Sequence, residues 1–241
     1  MARIVPATVL LAARTTRSQA YVQGLRSAGL RTEHLVIYGD PGRTQAAPPG
    51  IVRREIANLV VPDFAEPIER SATGAGWLPL QVDSDNLDAE SLQTTLRALA
   101  PKLIVFSGYP AQLVPTSLTA IAPVLHFHSG ALPRYRGSTT LYYALLEGQR
   151  PAVTALLVDA GIDSGRIVAM RDYAPPPVGV DIDHQFDGAI RADLLARVLD
   201  EYDRSGGFPG LRPPSDDPGQ LYYIVHPILK HLALASLETP R

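Results

Sequence analysis

Short, largely apolar runs constrain this chain more than any other feature of its sequence. Thr8 to Ala13, Leu35 to Tyr38, Lys102 to Phe106 and Val153 to Val158 are too brief for helices. They lack the alternation of a half-buried strand, so they read as strands buried on both faces. Stretches with helical spacing lie between them. Ala20, Tyr21, Leu25 and Ala28 follow Thr15-Thr16-Arg17-Ser18, which supplies capping hydroxyls, and end at Gly29. Leu87, Leu92, Leu96 and Leu99 form a second set, residues 115–121 a short third, and Leu141, Ala144 and Leu145 a fourth. Ile190, Leu194, Leu195, Val198 and Leu199 mark a longer helix over 189–202. Strands alternating with helices predict an α/β fold with a mostly parallel sheet covered on both faces. A weak strand is expected over 78–82, another over 166–170, and a helix after Pro227. Residues 53–82 are otherwise ambiguous, 39–50 form a Pro/Gly-rich loop, and 205–219 read as a Gly/Pro linker.

Composition removes several functions. With 241 residues and 46% hydrophobic content, the chain suits one α/β domain with a small extension. The division expected is 1–204 for the catalytic domain and 205–241 for a linker and helical extension. The formal net charge is −2, so a general nucleic-acid partner is disfavoured. There is no Cys, which removes disulfides, thiolate metal sites and Cys nucleophiles. No apolar run reaches membrane-spanning length. The Met1–Ala13 start imitates a signal peptide, but Pro6 interrupts it and Arg14 and Arg17 follow. A first strand is the better reading. No membrane partner and a cytoplasmic location are therefore expected. No Gly-x-Gly-x-x-Gly follows the first strand, so a dinucleotide site is not supported.

Chemistry concentrates between Val124 and Thr140. Val124-Leu125 leads a strand into His126-Phe127-His128. The spacing of two sends both imidazoles to one face. Ser129-Gly130 breaks the strand, and Pro133-Arg134-Tyr135-Arg136 forms a basic, aromatic loop. Gly137-Ser138-Thr139-Thr140 then reads as a helix start with capping hydroxyls. Two titratable rings thus point to the mouth of a helix N-terminus, where open α/β sheets bind ligands.

With these residues laid out, the chain resembles the folate-dependent formyltransferases: the glycinamide ribonucleotide, methionyl-tRNA and sugar N-formyltransferases. His128 through Gly137, with Leu132-Pro133-Arg134-Tyr135-Arg136-Gly137, matches the first part of their pattern. Ile162-Asp163-Ser164-Gly165 matches the second, and the Ser107–Pro115 loop looks like the segment beside the pterin. The resemblance is good from about Leu103 to Val168. It implies a Rossmann-like fold and 10-formyltetrahydrofolate as co-substrate, with formyl transfer to the amine of a small molecule, a nucleotide-linked amino sugar being one candidate. The residues after the core carry no basic stripe that would read tRNA. A homodimer is left open. The resemblance implies catalytic roles for His126, His128 and Asp163, with His128 carrying the proton and Asp163 orienting it. It implies cofactor contacts from Ser107, Gly108, Tyr109, Gln112, Leu113, Asp159 and Gly161. Arg134, Tyr135 and Arg136 would hold an anionic tail of the substrate or the folate. One departure matters, because the family's Asn falls on His126. Either that ring replaces the amide as oxyanion donor, or the chemistry differs. Two alternatives follow. One is a metal-dependent hydrolase using His126, His128 and Asp163; no metal is assigned in the preferred reading. The other is an inactive folate- or partner-binding homologue.

Overall fold

The structure is a computed structural model that describes residues 2–41 and 50–238. Most of the 39–50 loop and the last three residues of the extension fall outside that range. Strand β1 (Arg3–Ala13) leads into helix α1 (Thr16–Ser27) and strand β2 (Leu30–Tyr38). Thr15 caps α1 as its sequence suggests, its hydroxyl accepting from Ser18 N at 3.2 Å. Next come α2 (Ile68–Gly74), β3 (Leu80–Val82), α3 (Glu90–Leu99), β4 (Leu103–Ser107), α4 (Thr116–Thr119) and β5 (Val124–His128). The remainder is β6 (Tyr135–Gly137), α5 (Thr140–Leu146), β7 (Ala152–Leu157), β8 (Arg166–Asp172), α6 (Asp187–Ser205), β9 (Gln220–Tyr222) and α7 (Pro227–Ala235). One wide helical turn, Ile182–Phe186, runs directly into α6.

Seven strands form one sheet in the order β3-β2-β1-β4-β5-β7-β8. The predicted strands near 8–13, 34–38, 103–107 and 123–127 are parallel neighbours in it. β7 and β8 run antiparallel, as a hairpin closed by the Asp159–Gly165 turn. The mostly parallel α/β architecture expected from the sequence is thus observed, with one reversed strand, β7, next to the β8 edge.

The apolar runs explain the layering. Leu10, Ala12, Leu125 and Phe127 face one core with Tyr21 and Leu25 of α1 and Ile190, Leu194 and Leu195 of α6. Val9, Leu11, Phe106 and Val124 face the other, with Leu92 and Leu96 of α3. The ambiguous 53–82 stretch is largely irregular. It is anchored by Trp77, 1% exposed, whose indole N–H donates to Thr32 O at 2.9 Å.

The helix start after Gly137 differs from expectation. Thr139 adopts a left-handed φ of 52° and its hydroxyl does not cap α5. That oxygen accepts from Val225 N at 2.8 Å and donates to Tyr223 O at 3.3 Å, so it tethers the C-terminal segment instead. That segment returns to the body of the molecule: β9 pairs parallel with β6.

Candidate active site

β5 carries the two histidines to the C-terminal edge of the parallel strands. They alternate with Leu125 and Phe127, so both rings leave one face, as the spacing of two requires. His128 is buried. Its Nε2 lies 2.6 Å from Tyr135 O. A carbonyl only accepts, so Nε2 carries a hydrogen. Nδ1 is then the nitrogen that gains or loses a proton, and it sits 3.3 Å from Asp163 Oδ2. The predicted partnership of His128 with Asp163 is present in this geometry. Burial pushes the His128 imidazolium below its ordinary range, against the pull of Asp163. Gly130 permits the close approach of Tyr135 O, because a Cβ there would lie 2.5 Å from His128 Nε2 and 2.6 Å from that oxygen.

Asp163 has a left-handed φ of 50°. Its Oδ2 also accepts from Gly137 N at 2.9 Å. Arg136 holds the loop in place, donating twice to Ile162 O at 2.9 and 2.6 Å and once to Pro218 O at 2.7 Å.

Two cavities flank this pair. A large one, about 870 Å³, is lined by Arg17, His128, Ser129, Asp187, Arg191 and Lys230, with Ile224 and Val225 from the C-terminal segment. A smaller one, about 160 Å³, has apolar walls from Phe106, Leu113, Val114, Leu156 and Val158, plus His126 and residues 159–163. So the Ser107–Pro115 and Asp159–Asp163 loops, paired in the sequence reading, do meet at one cavity. His126 opens to this smaller space, not to the one beside His128.

The expected cofactor residues separate. Gln112, Leu113, Asp159 and Gly161 line the smaller cavity, while Gly108 lines the larger. Ser107 is buried under α1, its hydroxyl 2.9 Å from that of Ser18, and the Tyr109 ring packs edge-on against Tyr38. The Gln112 amide is already committed, accepting from Tyr38 Oη at 2.5 Å and donating to Asp85 O at 2.8 Å. Arg134, Tyr135 and Arg136 do not reach the large cavity. Arg134 and the Tyr135 hydroxyl both bind Glu147 at 2.7 Å, and Arg136 clamps the Asp163 loop. They build the frame of the site, which their loop position alone could not reveal.

Sequence reasoning missed a buried charged network. Asp187 accepts from Ser129 Oγ and pairs with Arg191 Nε at 2.9 Å, and Arg191 also donates to Phe127 O. Burial pushes the Asp187 carboxyl up, but Arg191 and Arg17 outweigh it and hold the group below its ordinary range. Among the described residues no hydrogen bond or ion pair engages the Arg17 guanidinium, and burial beside Arg191 lowers its pKa. One signal was available: Arg191 shares the helical stripe of Leu194, Leu195 and Val198, where a solvated Arg would be out of place. Among the described residues no group of three or more metal-ligating side chains could hold a metal ion.

The Formyl transferase family profile matches residues 6–174. The chain belongs to this family. It is 34% identical over 117 residues to a methionyl-tRNA formyltransferase from Pelobacter propionicus, covering 46% of this chain and 36% of that protein. The chain thus spans only about a third of the length of such relatives. A sugar N-formyltransferase structure from Shewanella sp. superposes with a TM-score of 0.56 at 13% identity, covering 95% of this chain and 87% of that one. HypX from Aquifex aeolicus, solved with tetrahydrofolic acid, gives 0.52 at 15% identity and covers 92% and 30%. These likenesses establish the fold, and the profile match establishes the formyl transferase family. Among the described residues no helix is long and apolar enough to cross a membrane.

Proposed function

We propose that this chain transfers a formyl group from 10-formyltetrahydrofolate to the amine of a small molecule. A nucleotide-linked amino sugar is the acceptor class we favour, with catalysis in residues 1–204 and the extension after 205 completing the acceptor cavity. The observation that carries the reading is the His128 Nδ1–Asp163 Oδ2 contact, 3.3 Å long, in the wall between two cavities of different character. The smaller cavity offers apolar walls and the polar backbone of residues 159–163, which suits a flat heterocycle with a hydrogen-bonding edge. Folate supplies the formyl group there. The larger, charged cavity suits the polar acceptor. Family membership supports the reaction type. The match in extent with a sugar N-formyltransferase supports a small acceptor.

The chain's own groups have three tasks. Binding must bring the amine nitrogen to the formyl carbon. As the new N–C bond forms, charge develops on the formyl oxygen and needs a donor. The amine must lose a proton, and the folate N10 must gain one as its bond to carbon breaks. His128 and Asp163 hold and pass that proton: Nδ1 is the titrating atom of His128 and Oδ2 its neighbour. The test is turnover with 10-formyltetrahydrofolate and a panel of amines. Saturable folate binding without formylation of any amine, nucleotide-linked amino sugars included, would favour the inactive-homologue alternative.

A further inference from the structure

We infer that Arg17 is an anion-binding residue of the larger cavity, and that the acceptor amine therefore carries a phosphate or a carboxylate. The inference rests on the formyl-transfer reading and names the chemistry its acceptor must bring. Charge matching in the cavity wall carries it. Among the described residues, three permanent cations line that space, Arg17, Arg191 and Lys230, against two carboxylates, Asp183 and Asp187. Arg191 pairs with Asp187 at 2.9 Å, and Lys230 pairs with Asp183. One positive charge is left over. It is the Arg17 guanidinium, which makes no hydrogen bond or ion pair among the described residues. Every Asp and Glu of the sequence lies among those residues, so the chain keeps no carboxylate side chain in reserve for it. Asp187 also faces Arg17, but its carboxylate is committed to Arg191 and to the Ser129 hydroxyl.

Arg17 is not a freely solvated surface group. It is partly buried on the first turn of α1, and both burial and the nearby Arg191 disfavour its charge. A desolvated cation beside another cation costs free energy unless an anion answers it. The arginines of the Pro133–Arg136 loop cannot take this task, because Arg134 binds Glu147 and Arg136 binds Ile162 O and Pro218 O. A guanidinium presents its donors in a planar fork that fits the oxygens of a phosphate or a carboxylate. His128 lines the same cavity of about 870 Å³, so one ligand has room to set its anion on Arg17 and its amine at the His128 end. A nucleotide-linked amino sugar supplies the anion in its diphosphate, and an amino acid supplies it in its carboxylate.

The experiment has two arms. In the first, pyrophosphate and acetate are titrated calorimetrically into the full wild-type chain and into Arg17→Gln at low ionic strength. Saturable binding of at least one anion is expected, weakened about tenfold or more in Arg17→Gln. No saturable binding to the wild type, or equal binding to both proteins, overturns the inference. Arg17→Gln should melt close to the wild type, because it breaks no internal pair. A melting temperature lowered by about 5 °C or more would reveal an internal partner and overturn it as well. In the second arm, KM is measured for amines in matched pairs that differ in the anion: a nucleotide-linked amino sugar against the free amino sugar, and an amino acid against its amide. The anionic member of one pair should have the lower KM. Arg17→Gln should raise that KM about 10–100-fold and leave those of the neutral member and of 10-formyltetrahydrofolate within about threefold, and Arg17→Lys should recover part of the loss. The pair that responds identifies the anion as phosphate or carboxylate. Indifference of both pairs to Arg17→Gln overturns the assignment. If the wild-type chain formylates no amine, it is the formyl-transfer reading that fails, and the titrations still decide whether Arg17 binds an anion.

Discussion

Asp163 combines three demands at one position: a left-handed backbone, acceptance from Gly137 N and contact with His128. Asn tolerates that backbone nearly as well as Asp, so Asp163→Asn should fold normally. It removes the charge facing His128 and should lower kcat about 100-fold or more, a loss read directly by steady-state kinetics. His126 and His128 make a second prediction. Burial depresses both imidazolium groups in the folded chain, whereas the unfolded chain titrates near 6.5. Below that pH the unfolded state binds more protons, so stability is full above about 6.5 and falls on acidification, by up to about 1.4 kcal/mol per pH unit for each ring. Denaturant melts between pH 5 and 8 should show this slope, and His126→Asn should reduce it. At this scale the spacing of two made the shared face of His126 and His128 legible, whereas Asp163 was legible as their partner only through the resemblance to the formyltransferases. Asp187 and Arg191 were not: their i, i+4 pairing resembles an ordinary solvated helix pair until β5 buries it.

Helices α1 and α6 meet through small residues. A Cβ on Gly24 would lie 2.7 Å from that of Ala192, and one on Gly188 would lie 3.0 Å from that of Ala20. This close packing positions Arg17 and Arg191 beside the same cavity. Gly24→Ala should therefore destabilise the fold by about 1–3 kcal/mol despite the better helix propensity of Ala, and Ala192→Gly in the same chain should recover part of the loss. A double-mutant cycle in denaturant measures it. Asp187→Ala, which leaves the buried Arg191 without its counter-charge, should cost about 3–5 kcal/mol by the same assay. Elements with unbroken apolar runs or clear stripes, such as β1, β4, α3 and α6, were readable from the sequence. The reversal of β7 was not, because an apolar run carries no direction. Residues 53–82 were unreadable because one indole, not a periodic stripe, anchors them.

Across the whole molecule, the larger cavity is completed by residues distant in sequence: α1, the end of β5, the start of α6 and the segment after β9. Lys230 reaches it from α7, bound to Asp183 and lying 5.1 Å over the Tyr142 ring. On the proposed reading, Lys230→Ala should raise the acceptor KM about tenfold and leave folate affinity unchanged, separable by varying each substrate in turn. The parallel pairing of β6 with β9 has a consequence for biosynthesis. Gly137, whose amide holds Asp163, is paired with Tyr222, and Arg136 reaches Pro218 from the same strand. A chain emerging from the ribosome presents His128 and Asp163 long before it presents that strap. The segment that carries Gly137 and Arg136 is braced only once β9 has been made, so on the proposed reading a chain ending before residue 218 should hold Asp163 less firmly and turn over more slowly than the full chain.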